Sequence, residues 1–303
     1  ILANTAYYGG GVCVNANSPA TLINNVVAQN WAYGFGSGVL VNSSAPILRH
    51  TTLAQNGGAG GGLYVWGNGR AELYDTVLVS HTIGVGTLPG STAILEGTFW
   101  GSGPWSNGQD WGGDGTIITG TVNVWGGPAF VDPAGGDYSL TRVSQAIDQG
   151  IDEGVEWDYH GHSRLSGAGH DIGADEYPFS LHLGKGASPD PVEAGGPLPY
   201  TLHLINLTDA LLPVTVTDVL AAYVTPTGML SWTAGLAPSG IWAVTYTVQV
   251  DPGYSGPLDN GMHVAAGDGT ALAYTRTVTV FCEAVTATAF FWAPVTPTAG
   301  QPV

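Results

Sequence analysis

Three stretches of the chain share one pattern of apolar and polar positions. They run from Gly11 to Asn30, from Gly38 to Asn56 and from Gly62 to His81, and each opens with a glycine and a short alternating apolar burst, GVCV, GVLV or GLYV. Equivalent valines in the three bursts stand 27 and 24 residues apart. This period is too long for a hairpin repeat, and the copies are too rich in β-branched residues for helical repeats. The pattern predicts a solenoid in which each copy forms one coil of extended segments.

Alternation along each burst separates inward from outward side chains. The first and third residues after the glycine are predicted to form an aliphatic core, and the middle residues, Cys13, Leu40 and Tyr64, to point to the other face. Polar residues recur in step at the predicted corners, where we expect them to bond along the stack as ladders. These polar residues are Asn24, Asn30, His50, Asn56, Asp75 and His81.

The coils resemble those of right-handed parallel β-helices, the fold of pectate lyases, polygalacturonases and many bacterial surface proteins. The resemblance implies that residues 1–178 are the end of a right-handed parallel β-helix. A left-handed helix is the alternative, although its hexapeptide rhythm is absent from the sequence. No amphipathic helical periodicity longer than two turns is found elsewhere, so the fold class predicted for the whole chain is all-β.

A fourth copy, from Gly90 to Gly103, begins like the others and then runs into tryptophan-rich sequence. The last coil of a solenoid exposes an open edge that has to be covered. We therefore interpret the fourth copy as degraded and the tryptophans as part of a cap. Carbohydrate stacking on these rings is the alternative function. The tryptophans are Trp100, Trp105, Trp111 and Trp125.

The segment Pro128–Tyr177, called the acidic segment below, carries the series PAFVDP, GDYSL, AIDQG and DIGADEY. This series resembles the terminal segment of bacterial cell-surface proteins of the choice-of-anchor Q domain type. The resemblance implies that the acidic segment closes the β-helix. Relatives often carry a D-x-D-G-x-x-R loop, which here begins at Asp158 and ends at Arg164, with His160 in place of the second acid.

The carboxylates of the acidic segment are candidate ligands for Ca²⁺, which is the one possible cofactor. The histidine in the loop weakens that hypothesis, since a hard cation prefers oxygen ligands. The alternative is that the carboxylates cap turns and pair with Arg142 and Arg164. The candidate calcium ligands are Asp148, Asp152, Asp158, Asp171 and Asp175.

Composition changes after Phe179, where threonine and valine alternate in bursts separated by Pro, Gly and Asp turns. This pattern predicts an antiparallel β-sandwich over residues 179–282. The run from Ser188 to Ala266 resembles the Ig-like conserved repeat of bacterial surface proteins, which implies a spacer or stalk role. Residues 283–303 resemble a linker and the first strand of another Ig-like or polycystic-kidney-disease-type module. The chain is accordingly expected to be a piece truncated at both ends.

Charge and cysteine content restrict the partners. The chain has 23 acidic residues against six Lys and Arg, a net charge of −17, so nucleic acids and anionic membrane surfaces are not expected partners. No apolar run of membrane-spanning length is present, so direct membrane insertion is not expected. Cys13 and Cys282 lie far apart and are interpreted as unpaired. Two sequons make Asn42 and Asn206 candidate glycosylation sites.

No reaction centre is recognisable in the sequence. A carbohydrate-active β-helix enzyme or binder would have to bring together Glu72, Glu96 and Trp66 of the coils. The sequence places no cluster of a base with acids, and no pair of carboxylates, at matching positions of successive coils. The sequence therefore favours a non-enzymatic structural or adhesive segment of a large secreted bacterial surface protein. Expected partners are other copies, other surface proteins or extracellular carbohydrate, at an extracellular or cell-surface location. A calcium-dependent adhesion module is the third hypothesis.

Overall fold

A computed structural model describes residues 1–282, so the predicted linker and strand at 283–303 lie outside the described residues. The fold is all-β, with 2% helix, and begins with a β-solenoid of about five turns, which confirms the predicted solenoid. Two short 3-10 helices occupy Gly103–Trp105 and Pro133–Gly135. The strands of the first 178 residues are β1 (Thr5–Ala6), β2 (Val12–Asn15), β3 (Thr21–Ile23), β4 (Val26–Ala28), β5 (Trp31–Ala32), β6 (Val39–Asn42), β7 (Ile47–Ala54), β8 (Gly57–Gly58), β9 (Leu63–Trp66), β10 (Arg70–Val79), β11 (Ile83–Thr87), β12 (Thr92–Gly101), β13 (Gln109–Gly113), β14 (Thr116–Thr119), β15 (Asn123–Gly126), β16 (Phe130–Asp132) and β17 (Asp137–Leu140).

Parallel sheets form the walls of the solenoid. One sheet has the order β13-β11-β9-β6-β2, and a second has the order β14-β12-β10-β7-β3, with β4 and β15 also joined to it. A third, short sheet has the order β1-β5-β8. The repeats stack in register: Val14 pairs with Val41, which pairs with Val65. Aliphatic side chains at these inward positions fill the core between the walls.

A ladder of buried polar side chains runs along one corner inside the solenoid. The Oδ1 atom of Asn56 accepts hydrogen bonds of 3.0 Å from both the backbone N–H and the side-chain amide of Asn30. The Asn56 amide donates to Val27 O at 2.8 Å and lies 3.2 Å from His81 Nε2. His81 donates its backbone N–H to Asn107 Oδ1 at 2.9 Å. This polar ladder satisfies buried corner groups of successive coils, as the recurring positions predicted.

Outward side chains of the first wall are not all exposed. Cys13 is exposed, as alternation predicts, but Leu40 and Tyr64 are buried. Phe35 covers Tyr64: its ring stacks on that of Tyr64 with 4.5 Å between centroids and lies 5.6 Å from that of Trp66. An aromatic cluster outside the wall therefore shields this part of the coil from water.

The fourth copy is a regular coil, which corrects the interpretation of a degraded one. Strand β12 pairs with β10 over eight residues in register. Trp100 aligns with Leu78 and is fully buried in the solenoid core, so it is not part of a cap. Trp105 packs on Phe130, whereas Trp111 and Trp125 are exposed on the last coil. Within residues 1–282, the outer edges of β13 and β14 pair with no further strand.

The acidic segment lies along the side of the solenoid, and not over its end as the sequence predicted. Its apolar residues pack on the outward side chains of β4, β7, β10 and β12 in one buried cluster. Hydrogen bonds join it to successive coils, from Gln29 Nε2 to Pro133 O and from Ala174 N to Thr52 Oγ1. The acidic segment lies on this side because these strands carry buried Ala, Val and Phe side chains on their outer face, in addition to the apolar side chains of the solenoid core. An apolar outer face needs a cover of its own.

The second part of the described chain consists of two antiparallel sheets, with the orders β18-β20-β24-β22 and β19-β26-β25-β21-β23. Two clusters of buried side chains draw on both sheets, so the sheets face each other. Within residues 1–282 there is no helix long and apolar enough to cross a membrane. The strands are β18 (Leu181–Ala187), β19 (Val192–Glu193), β20 (Pro197–Asn206), β21 (Leu212–Val219), β22 (Val224–Thr225), β23 (Met229–Leu236), β24 (Ile241–Val250), β25 (Gly256–Ala266) and β26 (Ala271–Phe281).

The polar ladder makes a first prediction testable. Asn56→Ala removes the acceptor of Asn30 and the donor to Val27 O, and each orphaned buried group costs about 1–3 kcal/mol. We expect Asn56→Ala to lower the free energy of unfolding by about 2–4 kcal/mol, measured by urea titration with tryptophan fluorescence. Asn42→Ala is the matched control, because its side chain donates to Asn15 Oδ1 and accepts from Ser43 Oγ outside the solenoid core. Equal losses in the two variants would contradict a structural role for the ladder.

Candidate functional site

A column of four residues at one corner of the second wall has left-handed backbone geometry. Asn24, His50, Asp75 and Gly97 occupy the same position in successive coils, with φ between 45° and 63°. Left-handed geometry favours Asn, Asp and Gly, which explains the polar residues that recur there. At Gly97 a side chain would also collide with the Asp75 carboxylate. This corner column is where the acidic segment is attached.

Asp75 is the centre of the corner column. Both of its carboxylate oxygens accept from Ile151 N–H, at 3.0 and 3.1 Å, and its backbone oxygen accepts from Gly173 N–H. His50 Nε2 lies 3.6 Å from Asp75 Oδ2, with both side chains fully buried. Burial raises the pKa of Asp75 to about 8. Burial, together with the charge of Arg164, lowers the pKa of His50 to about 3. Both shifts favour the neutral forms of the two buried side chains.

Arg164 fastens the acidic segment to this corner. Its guanidinium is 1% exposed and donates to Asn24 Oδ1 at 2.8 Å and to two backbone oxygens of the acidic segment. It also lies 3.4 Å from Glu176. Burial and the neighbouring Asp171 raise the pKa of Glu176, against the opposing effect of Arg164. Arg164 is thus the buried cation around which the segment folds.

Most of the predicted calcium ligands bind backbone N–H groups of their own segment. Asp148 Oδ1 accepts from Ala168 and Gly169, at 2.7 and 2.9 Å. The two oxygens of Asp171 accept from Asp148 N–H and Tyr177 N–H. Asp152 accepts from Gly154 N–H at 2.9 Å. The structure does not bring these three carboxylates into one cluster with Asp158 and Asp175, and their contacts are those of turn-forming side chains.

Asp158 and Asp175 do come together, and with two histidines. The side chains of Asp158, His160, His162 and Asp175 each place one potential ligand atom within 4.8 Å of the others. We call them the histidine–aspartate cluster. Asp175 Oδ1 lies 3.1 Å from His160 Nδ1, and Asp158 Oδ2 lies 3.3 Å from His162 Nδ1. The two histidines were not among the predicted site residues, although the sequence D-x-H-G-H places them on either side of Gly161 in a tight turn.

The residues of the carbohydrate-enzyme hypothesis do not converge. Glu72 binds its neighbours Arg70 and Tyr74 on the surface of β10. Glu96 accepts from the backbone N–H groups of Thr121 and Val122, at 3.0 and 2.9 Å, and so holds the following coil in place. Trp66 belongs to the other large wall, where it packs on Tyr8 and Phe35. These contacts are structural.

The two sequons differ in their surroundings. Asn206 is buried, and its side-chain nitrogen donates to the backbone oxygens of Ala210, Leu236 and Ala237. A glycan on that nitrogen is incompatible with these bonds, so the candidate site at Asn206 is wrong for the folded chain. Asn42 is half-buried and donates only to Asn15. Glycosylation there stays a prediction. Both cysteines of the described chain are free.

Comparison with known proteins gives no family. No family model and no curated protein matches the chain. Solved structures with partial similarity include the CARDB domain of a Pyrococcus furiosus protein in complex with di-metal ions, at 20% identity over 33% of this chain and 87% of that one, with a TM-score of 0.27. A FixG-related protein from Vibrio parahaemolyticus is 11% identical over 33% of this chain and 96% of that one, with a TM-score of 0.25.

A third similar structure is the alkylpurine DNA glycosylase AlkC of Pseudomonas fluorescens, bound to DNA containing an abasic site analogue. It is 13% identical over 34% of this chain and 31% of that one, with a TM-score of 0.24. Identities and TM-scores this low carry no argument about this chain.

The raised pKa of Asp75 makes a second prediction. A carboxyl whose pKa is higher in the folded than in the unfolded chain stabilises the fold at low pH and loses that contribution as pH rises, here between about 4 and 8. Asp75→Asn keeps an acceptor for Ile151 and cannot ionise. Relative to wild type, we expect its free energy of unfolding to rise by about 2–4 kcal/mol between about pH 5 and about pH 8, measured by urea titration.

Asp137→Asn is the matched control for this experiment. Hydrogen bonds from Ser139 lower the pKa of Asp137, so its contribution is complete above its unfolded pKa. The difference between Asp137→Asn and wild type should stay constant over the same pH interval. A constant difference for Asp75→Asn as well would show that Asp75 is ionised in the fold, contrary to the prediction.

Proposed function

We propose that this chain is a structural segment of a secreted bacterial surface protein, in which a right-handed β-helix of the choice-of-anchor Q type and an Ig-like repeat serve as rod and spacer. The proposal contains no catalytic step. Its partners would be further copies or other proteins of a cell-surface layer, fibre or stalk. The resemblance of the motifs supports this assignment, and the contacts of the acidic segment carry it.

The decisive observation is that the acidic segment binds the solenoid laterally and also reaches the following sheets. On one side it bonds to the corner column through Ile151, Gly173 and Arg164. On the other side its Ala168 packs against the core between the two antiparallel sheets, next to Phe179, which follows the segment. Across the junction, Leu183 N–H donates to Gly167 O and Gly167 N–H donates to Leu181 O, both at 2.9 Å. A connection with this many contacts favours a stiff rod over two domains on a flexible linker.

The second part of the chain is built for rigidity in the same way. Lys185 on β18 and Asp218 on β21 form a fully buried ion pair of 2.6 Å between the two sheets. Tyr200 lies under the ammonium group, 5.1 Å away. A buried pair of this kind fixes the register of the sheets even where it adds little stability. Asp218 belongs to the run from Ser188 to Ala266 on which the Ig-like resemblance rests.

Carbohydrate binding at the last coil is a second candidate function, which one observation favours. Trp111 and Trp125 are both exposed there, and Trp125 Nε1 donates to Asp110 Oδ2 at 2.9 Å, beside Trp111. Trp111 is held edge-on against the buried Trp100, with 5.4 Å between centroids. Fixed, exposed indole rings next to a hydrogen-bonding carboxylate are suited to stacking on sugar rings.

Localisation tests the rod proposal. Antibodies raised against the purified chain should label the envelope or extracellular fibres of the source cells in immunogold electron microscopy, because a rod or stalk is retained with the structure it supports. The label should persist after washing the cells at high ionic strength. Label confined to the cell interior, or recovery of the whole protein as a monomer in the medium, would overturn the proposal.

A glycan array tests the second candidate. If the last coil binds carbohydrate, the Trp111→Ala/Trp125→Ala double variant should lose the signal, since each stacked ring contributes about 0.5–1.5 kcal/mol beyond its buried area. Trp31→Ala is the matched control, an equally exposed tryptophan on the first described coils. Absence of signal for wild type, or loss with Trp31→Ala alone, would rule out binding at Trp111 and Trp125.

A further inference from the structure

The histidine–aspartate cluster lies where three separate stretches of the acidic segment meet. Asp158, His160 and His162 stand on a tight turn closed by the bond from Asp158 N–H to His162 O, 2.9 Å long. Asp175 comes from the DIGADEY stretch, and its Oδ2 atom accepts from the backbone N–H of Leu140 on β17 at 2.7 Å. The cluster is therefore defined by the tertiary fold and not by the turn alone.

The two carboxylates are buried and held in fixed orientations. The side chain of Asp158 is 0% exposed and that of Asp175 is 5% exposed. Asp158 Oδ1 accepts from the backbone N–H groups of His160 and His162, and Oδ2 from that of Glu176. Such bonds fix the direction of a carboxylate in the way that outer contacts orient metal ligands.

The imidazoles complete the set from the solvent side. The side chains of His160 and His162 are 41% and 43% exposed, so an ion can reach the cluster from water. The ring of Tyr159 lies 3.8 Å from that of His160, and its hydroxyl bonds to Ser139 Oγ at 3.1 Å. His160 is thus held on the side of Asp175.

No lysine or arginine neutralises these carboxylates directly. Within residues 1–282 the only ion-pair partners of Asp158 and Asp175 are the two histidines. Arg164, the nearest buried cation, pairs with Glu176 instead. In a chain with only six Lys and Arg residues, a divalent cation is a suitable counter-charge for two buried carboxylates.

We propose that the histidine–aspartate cluster binds a divalent transition-metal ion of the zinc class. Two imidazole nitrogens and two carboxylate oxygens suit Zn²⁺, whereas Ca²⁺ takes six to eight oxygen ligands. Tetrahedral ligands about 2.0–2.1 Å from zinc lie about 3.3 Å apart, close to the observed 3.1 and 3.3 Å of the two His–Asp pairs. The bound ion would join the turn at 158–162 to the DIGADEY stretch. The proposal does not depend on the rod function.

Cobalt titration of the whole chain tests the proposal. After treatment with a chelator and desalting, the protein should bind one equivalent of Co²⁺ with the visible absorption of a four- or five-coordinate nitrogen–oxygen site. Zn²⁺ should displace the cobalt and remove the absorption, and Ca²⁺ should not. Failure of wild type to bind Co²⁺ or Zn²⁺ with micromolar affinity, or displacement by Ca²⁺, would overturn it.

Paired variants locate the site. His160→Ala/His162→Ala should weaken Zn²⁺ binding by more than about 100-fold, since removal of supporting contacts alone costs 10- to 100-fold. His203→Ala is the matched control, because His203 and His182 form another histidine pair, with 5.6 Å between ring centroids. Retention of the stoichiometric ion by the double variant, or its loss from His203→Ala, would place the site elsewhere and refute the proposal.

A measurement on the wild-type chain alone tests the site without relying on variants that could misfold. In nitrogen-15 spectra of the histidine rings, one equivalent of Zn²⁺ should shift two of the eight histidines, those of the turn, and leave the other six in place. The count of shifted rings is independent of any substitution. Shifts spread over many histidines, or none at all, would contradict a single site at the cluster.

Discussion

Stacking of the coils in register is the constraint on which the rest of the structure depends. Parallel strands repeat at a spacing of about 4.8 Å, so each position in a coil meets the same position in the next. A residue that satisfies a buried polar group or adopts a corner conformation in one coil is therefore in contact with equivalent residues in the coils on either side. This explains the polar ladder, where Asn30, Asn56 and His81 satisfy one another inside the core. It also explains the corner column, in which four successive coils adopt the same left-handed turn.

A different constraint applies to the acidic segment, because its buried carboxylates have few Lys and Arg side chains to pair with. Backbone N–H groups take the place of Lys and Arg. Asp148, Asp158 and Asp171 each accept at least two N–H groups from their own segment. At Asp148 and Asp171 these bonds favour the charged form and oppose the pKa increase caused by burial. For Asp148, Asp171 and Glu176 burial still dominates and raises the pKa.

The features that repeat along the chain could be predicted from the sequence. The features that depend on how non-repeated segments pack could not. The coils, their inward valines and the corner ladders follow from spacing alone. Trp100 was misread because its residue type suggests a surface ring, whereas its place in the column after Leu53 and Leu78 makes it a core residue. Alignment of the fourth copy to that column would have given the correct answer.

The position of the acidic segment could not be derived in this way. Its motifs contain no period, and its site on the solenoid is set by the apolar outer face of β7, β10 and β12 together with the corner column. Asn206 shows the same limit at a single residue. The sequon is visible in the sequence, but the three carbonyls that occupy the side-chain nitrogen come from distant parts of the chain.

The same reasoning explains why the histidine–aspartate cluster stands apart from the other acids. Elsewhere in the segment, the side chains of Asp148 and Asp171 accept hydrogen bonds from backbone N–H groups and from no imidazole. In the cluster, Asp175 Oδ1 and Asp158 Oδ2 face imidazole nitrogens that are open to water. Two carboxylate oxygens directed toward a solvent-accessible pair of histidines, at the meeting point of the turn, β17 and the DIGADEY stretch, form a ligand set that packing alone does not require.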